Sequence, residues 1–149
     1  MSYCEIQEVR EMLKDDALNS IIGDTYLENT SERESKITPI IESAIADAEG
    51  EVDGYLSKRY PTPLSIVPKS ISKFTKDIAV YNLYSRKGID EGGEEKNYLN
   101  RYKAAVDFLK LVADGKVEIY VSSIKTSAQT GFSVKSNSRI FSRKSLDNM

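Results

Sequence analysis

Four carboxylates fall within seven residues, Asp47, Glu49, Glu51 and Asp53, the densest set of groups in the chain that could do chemistry. Paired acids can act as general acid and base, and clustered ones can hold a divalent cation. Either task needs two or more carboxyl groups converging on one point. At helical spacing Asp47 and Glu51 share one side and Glu49 and Asp53 another, all four off the stripe formed by Ala48, Val52 and Leu56. The pattern predicts a solvated face, not a catalytic pair.

The remaining reactive groups are few. Cys4 is the single cysteine, so no internal disulfide can form, and one thiol cannot build a zinc or iron–sulfur site. The chain has no histidine. That removes Ser-His-Asp and Cys-His triads, the usual base near neutral pH and most transition-metal sites. Gly92-Gly93 lacks the Lys-Ser that a phosphate-cradling loop would place after it. No catalytic activity, cofactor or metal is expected. Asp77 carries a structural expectation: it lies beside Ile78 on an apolar helix, and Lys58 and Arg59 end the helix before it. An Asp77–Arg59 pair would pin the intervening proline link, with Pro61 and Pro63, against that helix. Nine tyrosines, among them Tyr60, Tyr84 and Tyr102 beside basic residues, have the chemistry to stack on nucleic acid. Most fall on apolar stripes, which predicts core positions.

The chemistry at the C-terminus is of another kind. Residues 1–121 hold 16 Lys and Arg against 22 Asp and Glu, a balance of -6, whereas residues 122–149 hold five basic groups against one acid, a balance of +4. Such a split marks an interaction tail. Within it, Arg139 and Arg143 flank the apolar pair Ile140-Phe141, and Leu146 follows. Arginine and phenylalanine are residue types that anchor interfaces, so these five residues are expected to bind a partner.

The elements that position these groups read as helices. Ser2 and Glu5 have capping-box spacing, and Ile6, Val9 and Leu13 recur at helical steps, which predicts a helix over 3–14. A short second helix stops at Gly23, and 24–35 reads as a polar loop. Thr38-Pro39 has the form of a helix start, leading a stripe from Ile41 to Leu56. Gly50 and Gly54 inside that stripe suggest close approach of another helix. Tyr60-Pro61-Thr62-Pro63 ends it, with Leu64, Ile66 and Val67 expected against the core. Further helices are predicted over 70–86 and 95–113, the last closed by Gly115, and 117–121 alternates in a way that suits one short strand. The fold class is therefore mainly α, four to five helices over 1–121 with an extended basic tail over 122–149. No apolar run is long enough to span a bilayer, and the N-terminus lacks a signal layout, so a cytoplasmic protein is expected.

Three blocks carry a resemblance: DGYLSKRYPTPL at 53–64, VPKSISKFTKDIAVYNLYSRKG at 67–88 and YLNRYKAAVDFLKLVADGKVEI at 98–119. Together they resemble a Mu-like phage family of small structural proteins encoded among head and tail genes, over about residues 3–121. The closing SRIFSRKSLDNM is similar to the ends of many members, while the 24–35 loop is longer and more polar than the family pattern. The resemblance implies a head–tail connector, or adaptor: helical subunits in a ring of about twelve beneath the portal protein, meeting a downstream tail or stopper protein, with DNA passing through unbound. It implies a place in the host cytoplasm during assembly and then at the virion head–tail junction. An acidic body suits a ring that must not grip phosphates. The alternative is a small nucleic-acid-binding or regulatory protein working through its basic tail.

Overall fold

The computed structural model describes residues 2–23 and 27–119. Five helices follow in order: α1 (Ile6–Glu11), α2 (Asp15–Ile22), α3 (Thr30–Leu56), α4 (Lys69–Ser85) and α5 (Lys96–Ala113). The last three pack on one another, and α1 and α2 lie against α3, with α1 also touching α4. Among the described residues there is no strand. Residues 117–119 are not β, Ile119 is buried, and the rest of the expected strand and the tail lie outside the described residues.

Helix α3 is the long spine. Its buried residues, Ile37, Ile41, Ala44, Ile45, Ala48, Val52 and Leu56, step by three and four as the sequence predicts. Its start does not. Thr38-Pro39 does not open the helix; Asn29 does, with its side chain accepting from the Ser31 N–H at 3.1 Å. Residues 30–35, expected as loop, are helical because a long-range contact holds them. Arg10 of α1 grips Glu34 through Nε at 3.1 Å and Nη2 at 2.7 Å, and reaches Asp15 of α2 at 2.9 Å. Thr38 turns its hydroxyl back to the Glu34 carbonyl at 2.7 Å, and Pro39 sits on the exposed side, where water can take the carbonyl its missing N–H leaves unbonded.

The N-terminal cap also moves. Glu5, not Ser2, precedes α1, and its N–H donates to Glu8 at 3.1 Å, so the helix is shorter than expected. Gly23 and Gly115 behave as read from sequence. Gly23 takes φ +81° after α2. After α5, Gly115 takes φ +78° while its N–H bonds the Val112 carbonyl and that of Lys116 bonds Leu111, the Schellman pattern. Gly50 and Gly54 do not admit a second helix. Both are exposed, and a methyl group at either would meet nothing within 4 Å. Gly50→Ala and Gly54→Ala should each stabilise the chain by about 1 kcal/mol through helix propensity alone. Paired denaturant titrations check this, and a loss of stability in either would show a packing role.

The link at 57–68 contains a cis peptide at Thr62–Pro63. Leu64 is buried and Val67 packs on the core, but Ile66 turns outward at 44% exposure. Helices α4 and α5 run antiparallel, held by three ring pairs: Phe74–Phe108 (4.6 Å), Tyr81–Tyr102 (4.2 Å) and Tyr84–Tyr98 (4.2 Å). Each pair's numbers add to nearly the same value, so one register sets the whole seam. Tyr84 is fully buried, and Tyr60 and Tyr102 are half-buried against the core, which accounts for these tyrosines as packing groups.

Candidate functional site

Asp77 is the buried charge of the body. Its side chain is 1% exposed, and its partners are Arg101 of α5, whose guanidinium is in hydrogen-bond contact, and Lys73 one turn earlier on α4 at 3.2 Å. Arg59, the partner expected from sequence, points elsewhere. It lies over Gly115 at the C-terminal end of α5, with Nη1 3.5 Å from the Val112 carbonyl and Nη2 4.0 Å from Glu118. A cation there meets the negative end of the helix dipole. Asp77 faces the seam with α5 and not the proline link, so the nearest cation in sequence is not the nearest in space. With both of its oxygens paired to cations, Asp77 is a strut between helices. Among the described residues no group of three or more His, Cys, Asp or Glu is placed to hold a metal ion.

The four acids of α3 divide. Asp47 is exposed, as expected. The other three accept hydrogen bonds that the solvated-face reading missed. Glu49 takes the Ser2 hydroxyl at 2.6 Å and the Tyr3 N–H, Asp53 takes the Tyr3 hydroxyl, and Glu51 takes the Tyr102 hydroxyl at 3.1 Å. They fasten the N-terminal segment and α5 to the spine. Tyr3 also accepts from the Leu64 N–H at 2.9 Å, so one phenol joins three parts of the chain.

Burial and these carboxylates favour the neutral forms of their neighbours. The Tyr3 hydroxyl is pushed from 10.0 up to about 12 by burial and then by Asp53. Tyr102 reaches about 12 by burial and then by Glu51. The Cys4 thiol rises from 9.0 to about 12 through burial, with Glu49 and Glu8 adding to it. Tyr84 is also raised, by burial and by Tyr98. A raised folded-state value means that the stabilisation is complete below the unfolded value and is lost as pH climbs toward the folded one. The unfolding free energy should therefore hold level to about pH 9 and fall between pH 9 and 12, with about 1.4 kcal/mol per pH unit as the ceiling for each group and less for the half-buried Tyr102. Tyr102→Phe should flatten that slope. A midpoint unchanged from pH 8 to 11 would contradict the assignment.

Of the open cavities on the surface of the described residues, two bear on function. One, about 300 Å³, lies between Lys14, Tyr84, Lys87, Glu94, Glu95 and Tyr98. Both of its cations are paired, Lys14 with Glu94 at 2.6 Å and Lys87 with Glu95, while Asp16 and Asp90 in the same lining leave it net acidic. The other is a groove of about 450 Å³ between the N-terminal segment and α3, with an apolar floor and acidic rim. Charge is also divided along the body. Residues 1–56 carry 4 basic and 14 acidic groups, a balance of -10, and residues 57–121 carry 12 against 8, a balance of +4. The partner-binding candidates Arg139, Ile140, Phe141, Arg143 and Leu146 lie outside the described residues.

The family model described as Bacteriophage Mu, Gp36, matches residues 3–136, most of the chain. The chain belongs to the bacteriophage Mu Gp36 family. Among relatives, it is 31% identical over 108 residues to gene product J of Escherichia phage Mu, covering 70% of this chain and 72% of that protein. It is 29% identical over 82 residues to the Mu-like prophage FluMu protein gp36 of Haemophilus influenzae, covering 55% of this chain and 54% of the relative. The resemblance read from the three sequence blocks is thus the right one, and this is a phage-type protein. The Gp36 match takes in all five helices and stops before Arg139. No helix among the described residues is long and apolar enough to cross a membrane.

Proposed function

We propose that this Gp36-family chain is a non-enzymatic virion protein, a head–tail connector subunit that assembles as a ring at the portal–tail junction. DNA passes through the ring without specific binding. The observation that carries this reading is the separation of charge. An acidic half, a basic half and a basic tail follow one another on a small helical body, with balances of -10, +4 and +4. Copies in which the acidic N-terminal half of one meets the basic remainder of the next attract head to tail, and such heterologous contacts close into rings. The net acidic body leaves passing DNA ungripped. Arg139, Phe141 and Arg143, helped by Ile140 and Leu146, dock the tail on an adjacent protein of the assembly, the portal protein or a tail-side stopper among them. Asp77, Arg59, Pro61 and Pro63 serve the fold.

Sedimentation and electron microscopy of the chain with its cognate portal protein test the reading. The expected result is a closed ring on the portal, formed less readily as salt rises because its contacts are ionic. A chain that stays monomeric with the portal protein, yet shifts DNA in a gel with steep salt dependence, would establish the nucleic-acid alternative in its place.

A further inference from the structure

We propose that the groove between the N-terminal segment and α3 receives residues Arg139–Arg143 of a neighbouring copy. The inference rests on the ring reading, which supplies the neighbour, and it names the surface on which the tail lands. The groove has an apolar floor of Cys4, Ile6, Ile45 and Ala46. Ile6 is 37% exposed, one of the few large apolar side chains of the body left open to water. Around that floor stand three carboxylates, Glu5, Glu42 and Glu49, of which Glu49 already accepts from Ser2 and Tyr3 through Oε1, and the lining includes no lysine or arginine. The tail segment Arg139-Ile140-Phe141-Ser142-Arg143 is the complement: two apolar side chains to cover the floor, with a guanidinium on each side to meet the rim. Arginine forks pair carboxylates in directed geometry, so the rim also sets the register of the segment.

Reach agrees with a neighbour as host. Ile119 is the last described residue, anchored by its N–H on the Tyr60 hydroxyl at 3.3 Å beyond the end of α3. Nineteen residues lie between it and Arg139, twenty steps along the chain, and an extended strand of that length reaches about 66 Å. Helix α3, 27 residues long, spans about 40 Å at 1.5 Å per residue, so the segment can cross to the next subunit. Docking there links each copy to the next in one direction, the contact a ring requires, whereas docking at home links nothing.

The full-length chain tests this in two ways. Glu42 is exposed and has no part in the core, so Glu42→Arg and Arg139→Glu should each leave the melting midpoint unchanged. Each should weaken association by about tenfold or more. The two together should recover most of the loss, since the charges are exchanged. In a Cys4→Ala background, chains carrying Ala46→Cys are then mixed with chains carrying Ile140→Cys under mild oxidant. The expected product is a disulfide-linked dimer at least about fivefold above a control with Lys103→Cys in place of Ala46→Cys. Rings that persist through the charge reversals, with no cross-link above the control, would overturn the groove while leaving the ring reading intact. A cross-link within one chain carrying both cysteines, and none between chains, would make the contact internal and overturn it too. A wild-type chain that forms no oligomer would remove the ring reading and this one together.

Discussion

Asp77→Asn lowers the unfolding midpoint by roughly 6–10 °C, a loss of about 2 kcal/mol. The size follows from where the two partners sit. The Asp77 side chain is 1% exposed, whereas Arg101 is 37% exposed and Lys73 is 63% exposed. Removing the negative charge leaves Arg101 with half a partner, but that side chain can turn toward water. The loss is therefore smaller than the roughly 3–5 kcal/mol of a fully buried pair broken on one side. A double-mutant cycle distinguishes the two possible partners. Coupling of Asp77 with Arg101 should reach about 1 kcal/mol or more, while coupling with Arg59 should vanish, because Arg59 lies at the far end of α5 over Gly115. Asp77→Leu with Arg101→Leu should recover much of the single-variant loss, since a seam already lined by three aromatic pairs can absorb two more apolar groups. A midpoint unmoved by Asp77→Asn, or coupling to Arg59 instead, would refute this account of the seam.

That example shows which parts of the molecule are legible in the residues. The apolar stripes on α3, α4 and α5 have period 3.6, and glycine at the ends of α2 and α5 is local backbone chemistry, so both read directly from sequence. The burial of Asp77 reads too, because it stands within an apolar stripe. Its partner does not, because the register between α4 and α5 is set by Phe74–Phe108 and Tyr81–Tyr102, contacts far apart along the chain. The same limit explains the misread start of α3. Thr38-Pro39 is a strong local signal, but Arg10 holding Glu34 outweighs it, and a charge pair 24 residues apart leaves no trace in periodicity. The acids at 49, 51 and 53 look solvated for a related reason: the tyrosines that donate to them come from the N-terminus and from α5. Arg101 had a signal of its own, an arginine between Tyr98, Leu99, Tyr102 and Ala105 on a mostly apolar face.

A chain ended after residue 121 keeps its fold and loses its assembly. Its midpoint should lie within about 2 °C of the full chain, because among the described residues the buried core runs from Tyr3 to Ile119 and already holds each of the ring pairs and the Asp77 strut. It should fail to join the portal complex or to complete infectious particles in a complementation assay. Two effects of truncation must be separated. Losing 122–149 changes the net charge from -2 to -6, so copies repel more strongly even if no specific contact is lost. High salt screens that repulsion within a few ångströms but cannot replace a missing apolar anchor. Truncated chains that assemble in high salt would therefore assign the tail a bulk-charge role, against the docking role proposed for it. The cleaner comparison keeps the tail and changes its anchor. Phe141→Ala leaves every charge in place, and it should cost assembly about tenfold or more if Phe141 is a buried hot spot, since truncating such an anchor loses 2 kcal/mol or more. Particles completed as well by the truncated chain as by the full one would end the case for the tail.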